Sequence, residues 1–194
     1  EIAKYTPATI SLNTIKDRLI AVPFYGDVGL FYYRTDLLKK YGYNEPPKTW
    51  AEVKEMSDKV QAGERAAGNA NFWGFVYPGS VYEGFATDLV EWISSYGGGT
   101  WVDKDGNVTA NNPHSLAALS ELTSWVGKTV PPGVTAYIID DARGAFQSGN
   151  YLFMRNWPYA YASMQAEGSA VKDKFAVTAI PHGPDGKSAS GLGG

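Results

Sequence analysis

The sequence contains no cysteine. That removes disulfide frameworks, thiolate nucleophiles and cysteine metal sites together. It has two histidines, His114 and His182, far apart along the chain, so a histidine-built zinc site is not expected. No apolar run reaches the ~18 residues that a membrane-spanning helix needs. Positive charge is in short supply as well: 17 Lys and Arg face 20 Asp and Glu. With a net charge of −3 and no basic stripe to neutralise phosphates, nucleic acid is not an expected partner. The glycine-rich dinucleotide and P-loop signatures, the GxSxG nucleophile elbow and the HExxH zinc motif are all missing, so the reactions they support have no footing. Neither an initiator Met nor a signal peptide precedes Glu1, and Gly194 falls in a glycine-rich turn, so a piece of a longer protein is expected.

Aromatic residues, by contrast, are abundant. They make up 14% of the chain, with 13 Tyr and 6 Trp, more than the core of one 194-residue domain demands. The densest cluster is Gly149–Ser163, GNYLFMRNWPYAYAS. Tyr151 to Arg155 reads as a half-buried strand. Asn156 then reads as an N-cap with Pro158 in the first turn, opening a helix from Trp157 to about Ala166. Trp157, Tyr159 and Tyr161 thereby fall at the C-terminal end of a strand, where open α/β layers place ligand sites. The rings are either core or a platform for a ligand with flat apolar faces and a polar rim, such as a sugar.

Earlier in the chain, Leu19–Phe24 reads as an edge strand bent at Pro23, and Leu30–Tyr33 as a second strand. Tyr25 and Asp27 lie in the glycine-containing kink between them. Asp27 is either a turn residue or an acceptor for ligand hydroxyls. Thr35 is expected to cap a short helix ended by Gly42. Thr49 and Glu52 form a capping box that opens a helix reaching Gly63, with a surface loop from Glu64 to Asn71. Phe72–Tyr77 is a third strand. Phe85, Leu89, Trp92, Ile93 and Tyr96 then mark an amphipathic helix stopped by Gly97 to Gly99. Tyr82 and Glu83 occupy the turn before it, where Glu83 is either a partner of the helix dipole or a ligand contact. Asp105-Gly106 suggests a hairpin over Trp101–Thr109. Asn112-Pro113 opens another helix, Asp140 or Asp141 caps a short one closed by Gly149, Phe175–Ile180 is the last strand, and Pro181–Ser190 reads as exposed. Strands alternate with helices, which predicts an α/β fold.

Four segments together resemble a known family: AVPFYGDVGLFYYRTDLLKKYGYNEPPKTWAEV (Ala21–Val53), YEG…EWISSYGGG (Tyr82–Gly99), ARGAFQSGNYLFMRNWPYAYA (Ala142–Ala162) and SASGLGG (Ser188–Gly194). The family is the extracellular solute-binding proteins of ABC sugar importers, and the likeness is strongest to its trehalose/maltose-binding branch. It covers nearly the whole chain in the family's order, and NWPYAYA and PPKTWAEV are its most specific stretches.

The resemblance implies a periplasmic-binding-protein type II-like α/β fold, here mainly one lobe of a two-lobed, hinge-closing receptor. Residues 1–24 would belong to the other lobe and hinge, and residues 25–194 to the sugar-binding lobe, incomplete at its C-terminus. By motif, Tyr25 and Asp27 match the hinge-side aromatic and the carboxylate on sugar hydroxyls. Trp157 and Tyr159 match rings that stack on pyranoses, and Gly194 matches a backbone contact in the LGG motif. Tyr82 and Glu83 are added on position rather than on a matched motif. The implied protein is a monomeric binding component, without enzymatic activity or cofactor, that delivers a disaccharide or small oligosaccharide such as trehalose or maltose to ABC permease subunits. Its implied location is periplasmic or extracellular, tethered by a lipid anchor ahead of Glu1. A glycoside-processing enzyme stays open, because Asp27, Glu83, Asp140 and Asp141 could supply the carboxylate pair that glycosidases hold ~5–9 Å apart. So does a same-fold receptor for a non-sugar solute, although one Asp among Tyr and Trp suits a sugar better than a polyamine or a phosphate.

Overall fold

The computed structural model describes residues 2–193. A short 3-10 turn at Ile2–Lys4 leads into α1 (Pro7–Leu12) and a small hairpin of β1 (Thr14–Ile15) and β2 (Arg18–Leu19). The chain continues through β3 (Asp27–Val28), β4 (Leu30–Arg34), α2 (Thr35–Lys40), α3 (Trp50–Ala66), β5 (Trp73–Val76), α4 (Glu83–Ser95) and α5 (Pro113–Trp125). After a 3-10 turn at Pro132–Ala136 come α6 (Ile139–Gln147), β6 (Tyr151–Asn156), α7 (Tyr159–Met164), β7 (Phe175–Thr178) and β8 (Leu192–Gly193).

The main sheet has the order β5-β6-β4-β7; β5 and β6 are parallel and the other two pairings antiparallel. Helices cover both faces, which explains why β6 is buried along its whole length rather than half-buried. Phe31, Phe75 and Phe153 point to one face, where Trp50 of α3 stacks on Trp92 of α4 at 3.7 Å and Trp125 of α5 closes the cluster. Tyr32, Phe146 and Phe175 fill the opposite face. A separate two-stranded ribbon pairs β3 with β8, Asp27 opposite Gly193.

Local chemistry sets most element ends. Thr49 accepts from the Glu52 amide and Glu52 reaches back to the Thr49 amide, the expected capping box. Asn112 caps α5 through the Ser115 amide. Gly97 and Gly149 follow α4 and α6 with φ of 85° and 87°, a backbone shape that favours glycine.

Other expectations are corrected. Asn156 ends β6 instead of capping a helix: its side chain spans from the Trp157 amide to the Ile139 carbonyl, and α7 starts only at Tyr159. Thr35 is the first residue inside α2, and Asp140 and Asp141 lie within the first turn of α6, where Asp141 accepts from the Ile138 amide. α3 runs through Gly63 to Ala66, into the expected loop. The hairpin at Trp101–Thr109 is reduced to a single bridge, Val102 to Val108. Of the expected edge strand Leu19–Phe24 only Leu19 pairs, opposite Thr14, leaving Ile20, Val22 and Phe24 exposed. Pro181 and Gly183 are buried within the segment expected to be exposed.

Candidate functional site

The site begins at the C-terminal end of β6. Tyr32 of the neighbouring strand donates its hydroxyl to the Trp157 carbonyl at 2.7 Å, and Asn156 Oδ1 accepts the Trp157 amide at 2.8 Å. The Trp157 backbone is therefore held from both sides as the chain leaves the sheet. Two residues on, Tyr159 opens α7 and donates its hydroxyl to Asp140 Oδ1 of α6 at 3.0 Å. Burial, reinforced by that carboxylate, pushes the Tyr159 hydroxyl pKa up to about 12. The group thus stays a neutral donor at any physiological pH.

These rings border a cleft of about 290 Å³ lined by Tyr25, Asp27, Tyr82, Glu83, Gly84, Thr87, Ile139, Trp157, Tyr159 and Gly191. Six of the residues singled out from sequence, Tyr25, Asp27, Tyr82, Glu83, Trp157 and Tyr159, are thereby brought to one place. Gly194 lies outside the described residues. Tyr161, the third ring of the sequence cluster, turns away and meets Phe175 edge-on. Tyr25 is 62% exposed on the open side of the cleft, while Tyr82 and Trp157 are partly buried. The Tyr82 hydroxyl is buried without a well-formed hydrogen bond, and burial, followed by nearby Asp88, raises its pKa to about 12. Asp27 stands on the β3–β8 ribbon with Oδ1 3.1 Å from the Val28 amide. Among the described residues no other hydrogen bond reaches its carboxylate, and Asp27 is partly exposed on the cleft wall.

Beneath the cleft lies a charged cluster that sequence reasoning missed. Arg155 is 3% exposed on β6. Its Nε donates to Glu91 Oε2 at 2.7 Å, and its Nη1 is 2.8 Å from Asp88 Oδ1, an ion-pair distance with poor hydrogen-bond angles. Its guanidinium lies 3.7 Å from the centroid of the Trp157 ring. Desolvation holds the Asp88 carboxyl well above the usual range, against the pull of Arg155 and with the push of Glu91. One signal for the cluster was present: an arginine inside an apolar strand demands buried counter-charges, and Asp88 and Glu91 are one turn apart on α4.

Chemically, the cleft offers flat rings, an acceptor carboxylate and hydroxyl donors, which together suit a polyhydroxylated ring. No group of three or more metal-ligating side chains gathers among the described residues. None of their helices is long and apolar enough to cross a membrane.

Comparison with known proteins gives a consistent result. The sequence profile of bacterial extracellular solute-binding proteins matches residues 1–194. A probable ABC transporter-binding protein of Deinococcus radiodurans is 51% identical over the whole chain, which covers 46% of that relative. The maltose-bound structure of T. maritima MalE3 superposes with a TM-score of 0.90 at 41% identity, covering 100% of this chain and 48% of that one. A ribitol-bound ABC transporter solute-binding protein from Agrobacterium radiobacter K84 gives a TM-score of 0.82 at 25% identity, over 97% of this chain and 46% of its own. The chain thus spans about half the length of these relatives. The chain belongs to the bacterial extracellular solute-binding protein family.

Proposed function

We propose that the chain forms most of the sugar-binding lobe of the substrate-binding component of an ABC sugar transporter. Its ligand is a disaccharide such as maltose or trehalose, delivered to the permease from outside the cytoplasmic membrane. The observation that carries this reading is the meeting of Tyr25, Trp157 and Tyr159 around the Asp27 carboxylate in one cleft. The C–H faces of a pyranose pack on such rings, and the hydroxyl rim needs fixed acceptors and donors. Asp27 supplies the acceptor, and Tyr25, 62% exposed at the cleft edge, supplies a hydroxyl. Family membership and the likeness to a maltose-bound relative support the same ligand class.

Ligand recognition then needs no bond-breaking. Selectivity comes from matching hydroxyls to groups that would otherwise stay unpaired, each mismatch costing about 1–3 kcal/mol. The test is calorimetric titration of the complete receptor with maltose, trehalose and sucrose, with NMR of the sugars alongside. A disaccharide is expected to bind and be recovered intact. Trp157→Ala is expected to weaken binding by about 30-fold or more, as loss of a buried aromatic anchor does. Release of free glucose would point to a glycoside-processing enzyme. Indifference to every sugar together with binding of a polyamine or glycerol phosphate would assign a non-sugar solute.

A further inference from the structure

We infer that Arg155 is a positioning residue that sets the orientation of the Trp157 ring and locks it to the β3–β8 ribbon through Glu91; this rests on the reading of Trp157 as a ligand-stacking ring. The central carbon of the Arg155 guanidinium lies over the Trp157 ring, 3.7 Å from its centroid, and the same residue, Trp157, lines the cleft. A partly exposed Trp held only by its backbone would turn about two side-chain torsions. A cation against its π face restricts that motion, and ordering a ring before ligand arrives lowers the cost of binding.

Arg155 is itself immobilised, because both carboxylates that face it are buried: Asp88 is 7% and Glu91 2% exposed. The void beside them measures about 10 Å³, room for a single water at most. Glu91 spends its second oxygen elsewhere. Oε1 accepts the Gly191 amide at 2.7 Å and lies 3.3 Å from Ser190 Oγ, whose hydroxyl donates to the Gly29 carbonyl at 2.7 Å. Gly191 borders the cleft and leads into β8, and Gly29 follows β3. A side chain at Gly29 would collide with Glu91 and Arg155, so the backbone passes directly against the cluster. One buried arginine therefore connects the stacking ring to both strands of the ribbon that carries Asp27.

Arg155→Lys in the complete receptor isolates this role, because lysine keeps the charge against Asp88 and Glu91 but has no flat face to offer the ring. In the sugar-free protein, the Trp157 indole N–H resonance, assigned by its loss in Trp157→Phe, is expected to shift and broaden. Maltose affinity is expected to fall about tenfold, and the same substitution in a Trp157→Ala background, titrated at millimolar sugar, should change affinity by less than about twofold. An unmoved indole resonance, or an equal loss in both backgrounds, would overturn the inference. If the lysine variant does not fold, Glu91→Gln replaces it: the amide oxygen still accepts from Gly191, but the charge that fixes Arg155 is gone. The indole measurement needs no ligand. A receptor blind to all sugars would therefore refute the sugar reading alone, and the resonance would still decide whether Arg155 orders the ring.

Discussion

Asp88 is a residue whose ionisation the fold resists. With Arg155 between Asp88 and Glu91, full ionisation leaves one surplus negative charge in a buried cluster. The Asp88 carboxyl is held above its ordinary value of 3.8, first by desolvation. As pH rises past that value the unfolded chain releases the proton first, so the folded state binds more protons and stability falls. Asp88→Asn keeps an acceptor for Arg155 and removes the penalty. The variant is expected to melt about 2–4 °C higher than the parent near neutral pH. Its advantage should shrink as pH falls toward 4, where the unfolded chain also begins to protonate Asp88. Melting temperatures measured from pH 4 to 7.5 check this, and a gap that is constant or widens on acidification contradicts it. At this scale sequence reading was uneven. Trp157 and Asp27 announce themselves by residue type, whereas the partners of Arg155 lie 64 and 67 positions earlier in the chain and become neighbours only when α4 packs on β6.

The start of α3 shows how much of an element can be read locally. Thr49 and Glu52 satisfy each other's backbone amides, and Glu52 Oε2 also accepts the Lys48 amide at 2.6 Å. Those amide bonds hold the Glu52 carboxyl below its usual pKa against the effect of burial. Thr49→Ala is expected to cost about 1 kcal/mol, a loss of about 2–4 °C in thermal melting for a domain of this size. An unchanged melting temperature would mean that the neighbouring pairing alone fixes the helix start. That pairing was not legible: the Trp50 amide donates to the His182 carbonyl and the His182 amide to the Lys48 carbonyl. Composition reads Pro181–Ser190 as exposed, yet its glycines permit close approach. A side chain at Gly186 would strike the Ser95 carbonyl, and one at Gly183 the Tyr96 ring. The reverse error occurred at Ile20–Phe24, where β-forming residues suggest a strand but, beyond the Ile20 amide on the Asn13 carbonyl, no ladder continues among the described residues.

At the scale of the whole molecule, a continuous core is combined with a one-sided cleft. The core runs from Trp50, Trp92 and Trp125 through the sheet to Phe146 and Phe175, with no break that would divide it. Cooperative unfolding of the 194-residue chain is therefore expected. The cleft is different: Tyr25 stands 62% exposed at its edge, and beside it Phe24 is 96%, Val22 64% and Ile20 61% exposed. An apolar run of that kind is normally covered by another surface. We propose that in the complete receptor it is covered by the other lobe, to which residues 1–24 were assigned by resemblance. Binding sites usually enclose most of a small ligand's surface, whereas this cleft is open on the side where Tyr25 is exposed. The 194-residue chain is expected to bind maltose at least ~100-fold more weakly than the complete receptor, a deficit of about 2.7 kcal/mol. Titration of both proteins, with hydrogen exchange followed at residues 20–25, measures the two consequences together. Equal affinities would mean that this wall alone makes the site, and would remove the need for a closing lobe. Weak binding by the chain, with slower exchange at 20–25 in the complete receptor, is what two walls meeting over one ligand require.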